Sequence, residues 1–488
     1  MDAAAAAAGA TATATADLTS SPLLSHSSPL GFGFYFLPFA TIICFLIPVL
    51  YIFPPIPATT SDALRATHTK IGLSPPKSNL KDQFSPAHAA AANAAAANAA
   101  AAAAAASDVP AAKLHALYIY PIKSCRGIEL SKSKLLPTGL EFDRLYTFAQ
   151  LKSAFPVSAA DSEETKDKHS WEFITQRQFP LLATVKVDVY VPDATKRTAF
   201  VEQHSDGGSG GDAWIVFRFP WQDRGFRGVM QLLAAKIRDG WRAEPEREVL
   251  LPVGFPTPEE IEARGYEVED VRIWKEWVPA LNMGKEIPNE LSLYLGVSNK
   301  LTIFRSDPDR LREVYRCAPR KEETGYQPIV GFQDAYPLHL MNLTSLRDFD
   351  SKVPKDENLQ NLDVRRFRSN LIVSGAPAYD EESWKHVTFT QGSSKTTHPA
   401  GFQVSCRTVR CKLPNVDPAT GVRHAVEPDR SLRKLREVDE GAPHMGCLGM
   451  QLCPLFDGTD RVEHMQGWLE VGMAVDVEQR GEHLYIKQ

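Results

Sequence analysis

The sequence predicts an α+β fold dominated by β structure and closed into barrels, behind an apolar N-terminal segment. Three observations lead there. Short alternating or wholly apolar runs rich in Val, Ile, Leu, Tyr and Phe recur from Lys113 to the C-terminus, the pattern of strands. Helical signals in that span are few. The intervals between the runs are clusters of Gly, Ser, Pro and charge, which break elements and turn the chain. Many short strands with few helices favour closure over an open sheet.

Residues 1–29 contain no Lys or Arg and are expected to be disordered. From Leu30 to Pro57 the chain has no charged residue, LGFGFYFLPFATIICFLIPVLYIFPPIP. A spanning helix needs about 20 apolar residues, and aromatic residues stand towards both ends of this run, so it reads as a transmembrane anchor. A signal peptide is excluded by the missing basic flank and the length of the run, and a matrix presequence by the missing arginines. Arg65, Lys70, Lys77 and Lys81 follow, so the bulk of the chain is expected on the cytosolic side. Residues 58–112 read as a linker. Its tract from Ala89 to Ala106, broken by Asn93 and Asn98, is either low-complexity filler or a helical spacer of roughly 27 Å.

The globular part begins at Lys113. LHALYIYPIKSCRGIEL gives a strand, a turn at Lys123–Gly127 and a second strand, and LYTFAQ, WEFITQ and ATVKVDVYV continue the pattern. SEETKDKHS and HSDGGSGGDAW are loops. Residues 219–265 show no clear period, and about 200–265 reads as an insertion without a role. IPNELSLYLG and TSLRDFDSKV are helical, the second capped by Thr344. LIVSG, HVTFT, QVSCRTVRCKL and HLYIKQ return to strands. The expected division is a first domain at 113–325 and a second at 326–488.

At 488 residues the chain is longer than one usual domain, and a 43% hydrophobic content suffices for a core. A net charge of -5 gives no electrostatic basis for binding nucleic acid. The seven cysteines form neither a disulfide framework nor a paired CxxC zinc site, which fits a reducing compartment.

Four clusters offer chemistry. Lys123-Ser124-Cys125-Arg126-Gly127 is either a basic turn or an anion cradle, with a glycine that lets backbone amides approach. Asp334-Ala335-Tyr336-Pro337 is a turn entering a helical stretch with Asn342, Thr344 and Ser345. Arg365-Arg366-Phe367-Arg368-Ser369-Asn370 is either a charged edge or an oxyanion site suited to a phosphate or a pterin edge. Cys406-Arg407-Thr408-Val409-Arg410-Cys411 has the wrong spacing for a zinc knuckle. A thiolate beside Arg410 is nevertheless a candidate nucleophile or soft-metal ligand, the alternative being a buried structural cysteine.

In order along the chain, YPIKSCRG, GLEFDRLYTF, TQRQFPLLA, GFQDAYPLHLMNLTSLRDF, RRFRSNLIVSGAPAYDEESW and RCKLPNVDPATG resemble the MOSC domain family, specifically its mitochondrial amidoxime-reducing components. The resemblance runs from about Lys113 to the C-terminus, apart from the insertion. It implies an N-terminal β-barrel-like domain joined to a MOSC β-barrel domain, with a molybdenum cofactor (Mo-molybdopterin) held between them. Cys411 would be the metal ligand and catalytic residue. Lys123, Ser124, Arg144, Asp334, Tyr336, Arg368 and Asn370 would hold the pterin and its phosphate, with Arg177 a weaker candidate. Two departures are visible: Pro414 and Asn415 stand where the family usually has threonines, and Tyr336 where it often has a small residue.

The implied reaction is a two-electron reduction at molybdenum that removes oxygen from amidoximes, hydroxylamines or nitrite. The chain shows no Gly-rich dinucleotide fingerprint, haem CxxCH or four-cysteine iron–sulfur pattern, so electrons must arrive from a partner. By resemblance that partner is cytochrome b5 with its NADH-dependent reductase, at the mitochondrial outer membrane or the endoplasmic reticulum. The alternative is a non-catalytic cofactor-binding or sulfur-carrier module. No pyridoxal-phosphate domain precedes this one, and any tie to pyridoxal phosphate is carried at the level of the domain family only.

Overall fold

Two units make up the chain, residues 1–57 and 58–488. In this computed structural model the described residues are 38–47, 59–88, 112–153, 169–196, 212–391, 399–456 and 465–486. In the first unit residues 38–47 are helical, with Phe39, Phe45 and Ile47 exposed. The remainder of the expected anchor and residues 1–29 lie outside the described residues. Among the described residues, no helix is long and apolar enough to cross a membrane.

The second unit has the expected β-dominated α+β class. One closed barrel is built from Tyr146–Ser153, His169–Phe173, Glu267–Ile273, Glu276–Asn282 and Leu301–Ser306. All its junctions are antiparallel except that between Glu267–Ile273 and His169–Phe173. A larger sheet runs Leu371–Ser374, Leu338–Asn342, Cys447–Leu455, Ala400–Val409, Trp384–Thr390, Ala474–Arg480, Lys113–Ile119, Ile128–Leu130. It closes because Lys113–Ile119 pairs back on Leu371–Ser374. Closure leaves only the short strand Ile128–Leu130 at an edge, which suits strands this apolar.

Lys113–Ile119 comes from the front of the globular sequence but pairs with strands from its end. Immediately after it the chain crosses to the other barrel, where Lys123 N–H donates to Tyr146 O at 2.8 Å. The turn between the two strands of YPIKSCRG therefore sits where the barrels meet.

Several elements differ from expectation. Residues 59–88, read as linker, fold onto the unit. Thr59 caps the helix Thr60–Arg65 in a capping box, and His68–Lys70 pairs with Lys186–Pro192. The tract Ala89 to Ala106 lies outside the described residues, as do 162–168 and 204–211 of the two expected loops. The interval around 200–265 contains regular elements. Trp214–Pro220 pairs with Glu246–Pro252, and the helices Phe226–Asp239 and Pro258–Arg264 flank the second strand. Phe226–Asp239 does carry a helical period, with Phe226, Val229, Met230, Leu233 and Ile237 on one face, so the interval is not without pattern. Asp334–Pro337 leads into the strand Leu338–Asn342, and the helix begins after it at Leu343. Its cap is Asn342, whose Oδ1 accepts from Thr344 N–H at 3.1 Å, not Thr344 itself. HLYIKQ makes no strand over its described residues. His483 Nε2 contacts Trp384 O at 2.7 Å and Tyr485 N–H donates to Asp439 at 2.9 Å, so the alternation reflects side-chain anchoring without a ladder.

The same helix start holds a buried acid. Glu381 is fully buried and accepts from Asn342 Nδ2 at 3.0 Å and Ser345 Oγ at 2.8 Å, while its second oxygen has no partner. Burial outweighs those donors and pushes the carboxyl up to about 7, from the ordinary 4.5. A carboxyl raised on folding contributes stability that is full below about pH 4.5 and is lost as pH rises through about 7. Glu381→Gln should flatten that pH dependence. At pH 8 it is expected to be more stable than the parent by an amount on the order of 2–3 kcal/mol, read from urea melts across pH. Parallel pH profiles for both proteins would refute this.

Candidate active site

The site is a cleft of about 410 Å³ reached by strand-end turns of both barrels. From the junction turn it receives Lys123 and Ser124, and from the start of the first barrel Arg144. The 175–177 turn gives Thr175 and Arg177. The larger barrel contributes Asp334, Tyr336, His339, Arg368, Asn370 and, just past the strand Ala400–Val409, Arg410 and Cys411. All eight expected site residues and Arg177 thus line one cavity. Six of its lining side chains are Lys or Arg, and one, Asp334, is acidic, so the cleft attracts anions.

Lys123 is buried. Its ammonium donates to Phe332 O at 2.6 Å and to Asp334 Oδ1 at 2.7 Å, and burial pulls it down to about 8 despite Asp334. Burial also pushes Asp334 upward, but Lys123 and the indole of Trp274, at 3.0 Å, outweigh it and hold the carboxylate ionised far below its usual range. Asp334 nevertheless leaves 59% of its side-chain surface exposed, at the rim shared by the cleft and the hollow beside it. Trp274 in turn carries the Arg177 guanidinium over its ring at 4.3 Å.

Arg144 and Arg368 share one aromatic ring: their guanidinium carbons stand 4.6 Å and 4.1 Å from the centroid of Tyr120. Both residues adopt positive φ, 50° and 54°, which points these side chains inward at the cost of backbone strain. Arg144 donates to the buried Asp143 and, at 3.0 Å, to Asn370 Oδ1. Arg368 donates to Cys125 O at 2.6 Å, and burial lowers it to about 10. Its Nη2 is buried without a hydrogen-bond partner. An unmatched guanidinium nitrogen in a cationic cleft is a donor waiting for an acceptor.

The basic turn is resolved into parts. Lys123, Cys125 and Arg126 spend their amides on Tyr146 O, Ile122 O and Val185 O, so these three do not serve an anion. Arg126 is exposed and does not line the cleft. Gly127 makes room for Tyr120 rather than for a ligand, since a Cβ there would meet the ring at 2.5 Å. The three arginines of RRFRSN also separate. Arg365 pairs with Asp363, and Arg366 donates to Asp417 at 2.6 Å and to the carbonyls of Pro414 and Asn415. Only Arg368 faces the cavity. The backbone at positions 414 and 415 therefore supports the Cys411 loop. Arg410 is buried on Leu448 O, Phe367 O and His339 Nε2, and the neighbouring Cys411 acts on it electrostatically without a hydrogen bond between them. Burial first, then Arg410, keeps His339 well below its ordinary value and hence neutral.

Tyr120, Trp274 and His339 were not anticipated as site residues. Tyr120 and His339 had a signal, since they lie in the YPIKSCRG and GFQDAYPLHLMNLTSLRDF phrases themselves; Trp274 had none, because only folding brings it here. A second hollow of about 370 Å³ adjoins the cleft, sharing Trp274, Asp334, Ala335 and Tyr336 and adding Arg312 and Tyr315.

Comparison with known proteins gives two domain matches, the MOSC N-terminal beta barrel domain over residues 111–206 and the MOSC domain over 327–476. The chain is 22% identical to mitochondrial amidoxime reducing component 2 of Rattus norvegicus over 73% of its length and 80% of that protein's. It is 28% identical to the Bos taurus component 2 over the same shares. With mitochondrial amidoxime-reducing component 1 of Danio rerio it is 28% identical over 35% of the chain, a match spanning about half (48%) of that relative's length. With both domains present in order, on the two barrels that frame the cleft, the chain belongs to the MOSC domain family.

Proposed function

We propose that this protein is a molybdenum-cofactor reductase of N-oxygenated compounds, receiving electrons from cytochrome b5 and its NADH-dependent reductase. One observation carries the reading: Cys411 opens into a cleft whose wall is cationic and whose Arg368 Nη2 is buried without a partner. A phosphate or pterin oxygen is the acceptor that nitrogen lacks, so the residues present fit the group. The relatives named for amidoxime reduction supply the substrate class.

In this reading Arg368, Arg144 and Lys123 hold the phosphate and pterin, with Ser124, Tyr336 and Asn370 around them, and the Cys411 thiolate is the soft ligand to the metal. When bound, the cofactor supplies two-electron redox chemistry that takes up a substrate oxygen. The chain's own residues position and supply protons. Asp334 stays ionised and fixes Lys123. Lys123, at about 8, is the group able to deliver a proton from Nζ near neutrality. The Tyr120 ring orients two guanidinium groups that repel each other, which preorganises the anion site. The run Leu30–Pro57 is read as the anchor that keeps this unit beside membrane-bound donors, raising their effective concentration, with the mitochondrial outer membrane as its place.

The test is reconstitution of the full chain with cytochrome b5, its reductase and NADH, together with elemental analysis. About one molybdenum per chain and NADH oxidation matched by reduction of a simple amidoxime are expected. Molybdenum without turnover on any N-oxygenated substrate or nitrite would assign the carrier role instead. Absence of molybdenum from protein made in a cofactor-competent host would overturn the reading.

A further inference from the structure

The helix Phe226–Asp239 takes no part in the cleft. Along it Phe226, Val229, Met230, Leu233 and Ile237 follow the i, i+3, i+4, i+7, i+11 spacing of one helical face, and Trp241 stands just beyond its end. These six are 80%, 51%, 42%, 48%, 71% and 83% exposed. Single exposed apolar residues are ordinary, but a stripe of large ones marks a surface that something covers. The opposite side carries Gly228, which is buried against the turn before the helix, where a Cβ would meet Asp223 O at 1.9 Å. Between 221 and 245 five basic residues stand against three acidic ones. Aromatic residues at both ends and basic flanks are the composition of helices that lie in a bilayer interface.

The helix is tied to the described start of this unit: Arg238, in its last turn, pairs with Asp62 at 3.3 Å.

We propose that Phe226–Asp239 lies flat in the interface of a membrane containing anionic lipid, its apolar stripe at the acyl boundary and its basic residues at the headgroups. The stripe stands by itself; the identification of this membrane with the one Leu30–Pro57 enters rests on the anchor reading. Such a helix fixes how the unit is tilted on the bilayer, which a single flexible tether does not.

The experiment uses the full chain and its Trp241→Phe variant in phosphatidylcholine vesicles with about one-third phosphatidylserine, with and without bromine on the acyl chains. Bromine should quench a component of tryptophan emission in the parent that is missing in Trp241→Phe, and Leu233→Glu with Ile237→Glu should abolish it. Flotation of the same vesicles reports the anchor separately. If parent and double variant both float but bromine quenches parent and Trp241→Phe alike, the helix proposal fails and the anchor stands. If the parent floats and the double variant does not, the helix proposal stands and the anchor reading fails. If neither floats, both fail. A Trp241 emission change that follows protein density on the vesicles rather than phosphatidylserine content would assign the stripe to a second copy and overturn the membrane occupant.

Discussion

Cys411→Ala is expected to lower NADH-driven reduction of an amidoxime by about 10³-fold or more, at least about 4 kcal/mol in the barrier, while leaving the fold intact. The side chain lines the cleft and is only partly buried, so its loss leaves no large core cavity. The loop that carries it is held independently, through Arg366 on Asp417 and on the carbonyls of Pro414 and Asn415. Thermal melting should therefore move little while turnover collapses, and that dissociation is the useful readout. Cys411→Ser separates the roles further, because a hydroxyl keeps the volume but is a poor ligand for a soft metal. Parent-like turnover in both variants, with molybdenum bound, would remove Cys411 from the site. The other buried thiols do not compete for the role: burial pushes Cys125, Cys447 and Cys453 up to about 12, and the hydrogen bond with Cys317, then burial, holds Cys406 well above its ordinary value.

Gly449→Ala is expected to be the most damaging small change to the fold near the site, on the order of 3–5 kcal/mol. Gly449 has φ +83° within the strand Cys447–Leu455, and a Cβ would stand 2.6 Å from both His339 Nε2 and Leu340 O. The strained backbone accounts for about 1–3 kcal/mol. The remainder comes from displacing His339, the neutral acceptor of the buried Arg410 guanidinium, which costs another ~1–3 kcal/mol when a buried charged donor loses its partner. Urea melts of Gly449→Ala beside Gly401→Ala decide the matter. Gly401 lies in the adjacent strand, where the nearest atom to an added Cβ is an ordinary 3.6 Å away. A large midpoint loss in the first and little in the second is expected; equal small losses would show that His339 yields freely.

The recurring strands were legible because their period is local: Tyr146–Ser153, Lys186–Pro192 and Ala400–Val409 each announce themselves within a few residues. What failed failed for identifiable reasons. Thr344 was a reasonable cap by type, but Asn342 lies one position before the helix and took the N–H first. HLYIKQ alternates like a strand because His483 and Tyr485 are tied by single contacts to Trp384 and Asp439. The helix Phe226–Asp239 lacked the polar outer face that usually makes a surface helix recognisable, and that absence is itself the observation behind its proposed membrane role.

The sequence by itself determined the β-dominated class, the uncharged run at Leu30–Pro57, and the chemical types available: a thiol at 411, cations at 123, 144 and 368, and an amide at 370. These are properties of residues and their near neighbours. Only the tertiary structure decided which of them meet. Three arginines within four positions take three different partners, because the short turn Val364–Phe367 and the positive φ of Arg368 fan their side chains apart. Tyr120 between Arg144 and Arg368, Trp274 on Asp334, and His339 under Arg410 are contacts between residues far apart in the sequence. They exist because Lys113–Ile119 closes the larger barrel and hands the chain directly to the other one, and no local period encodes that crossing.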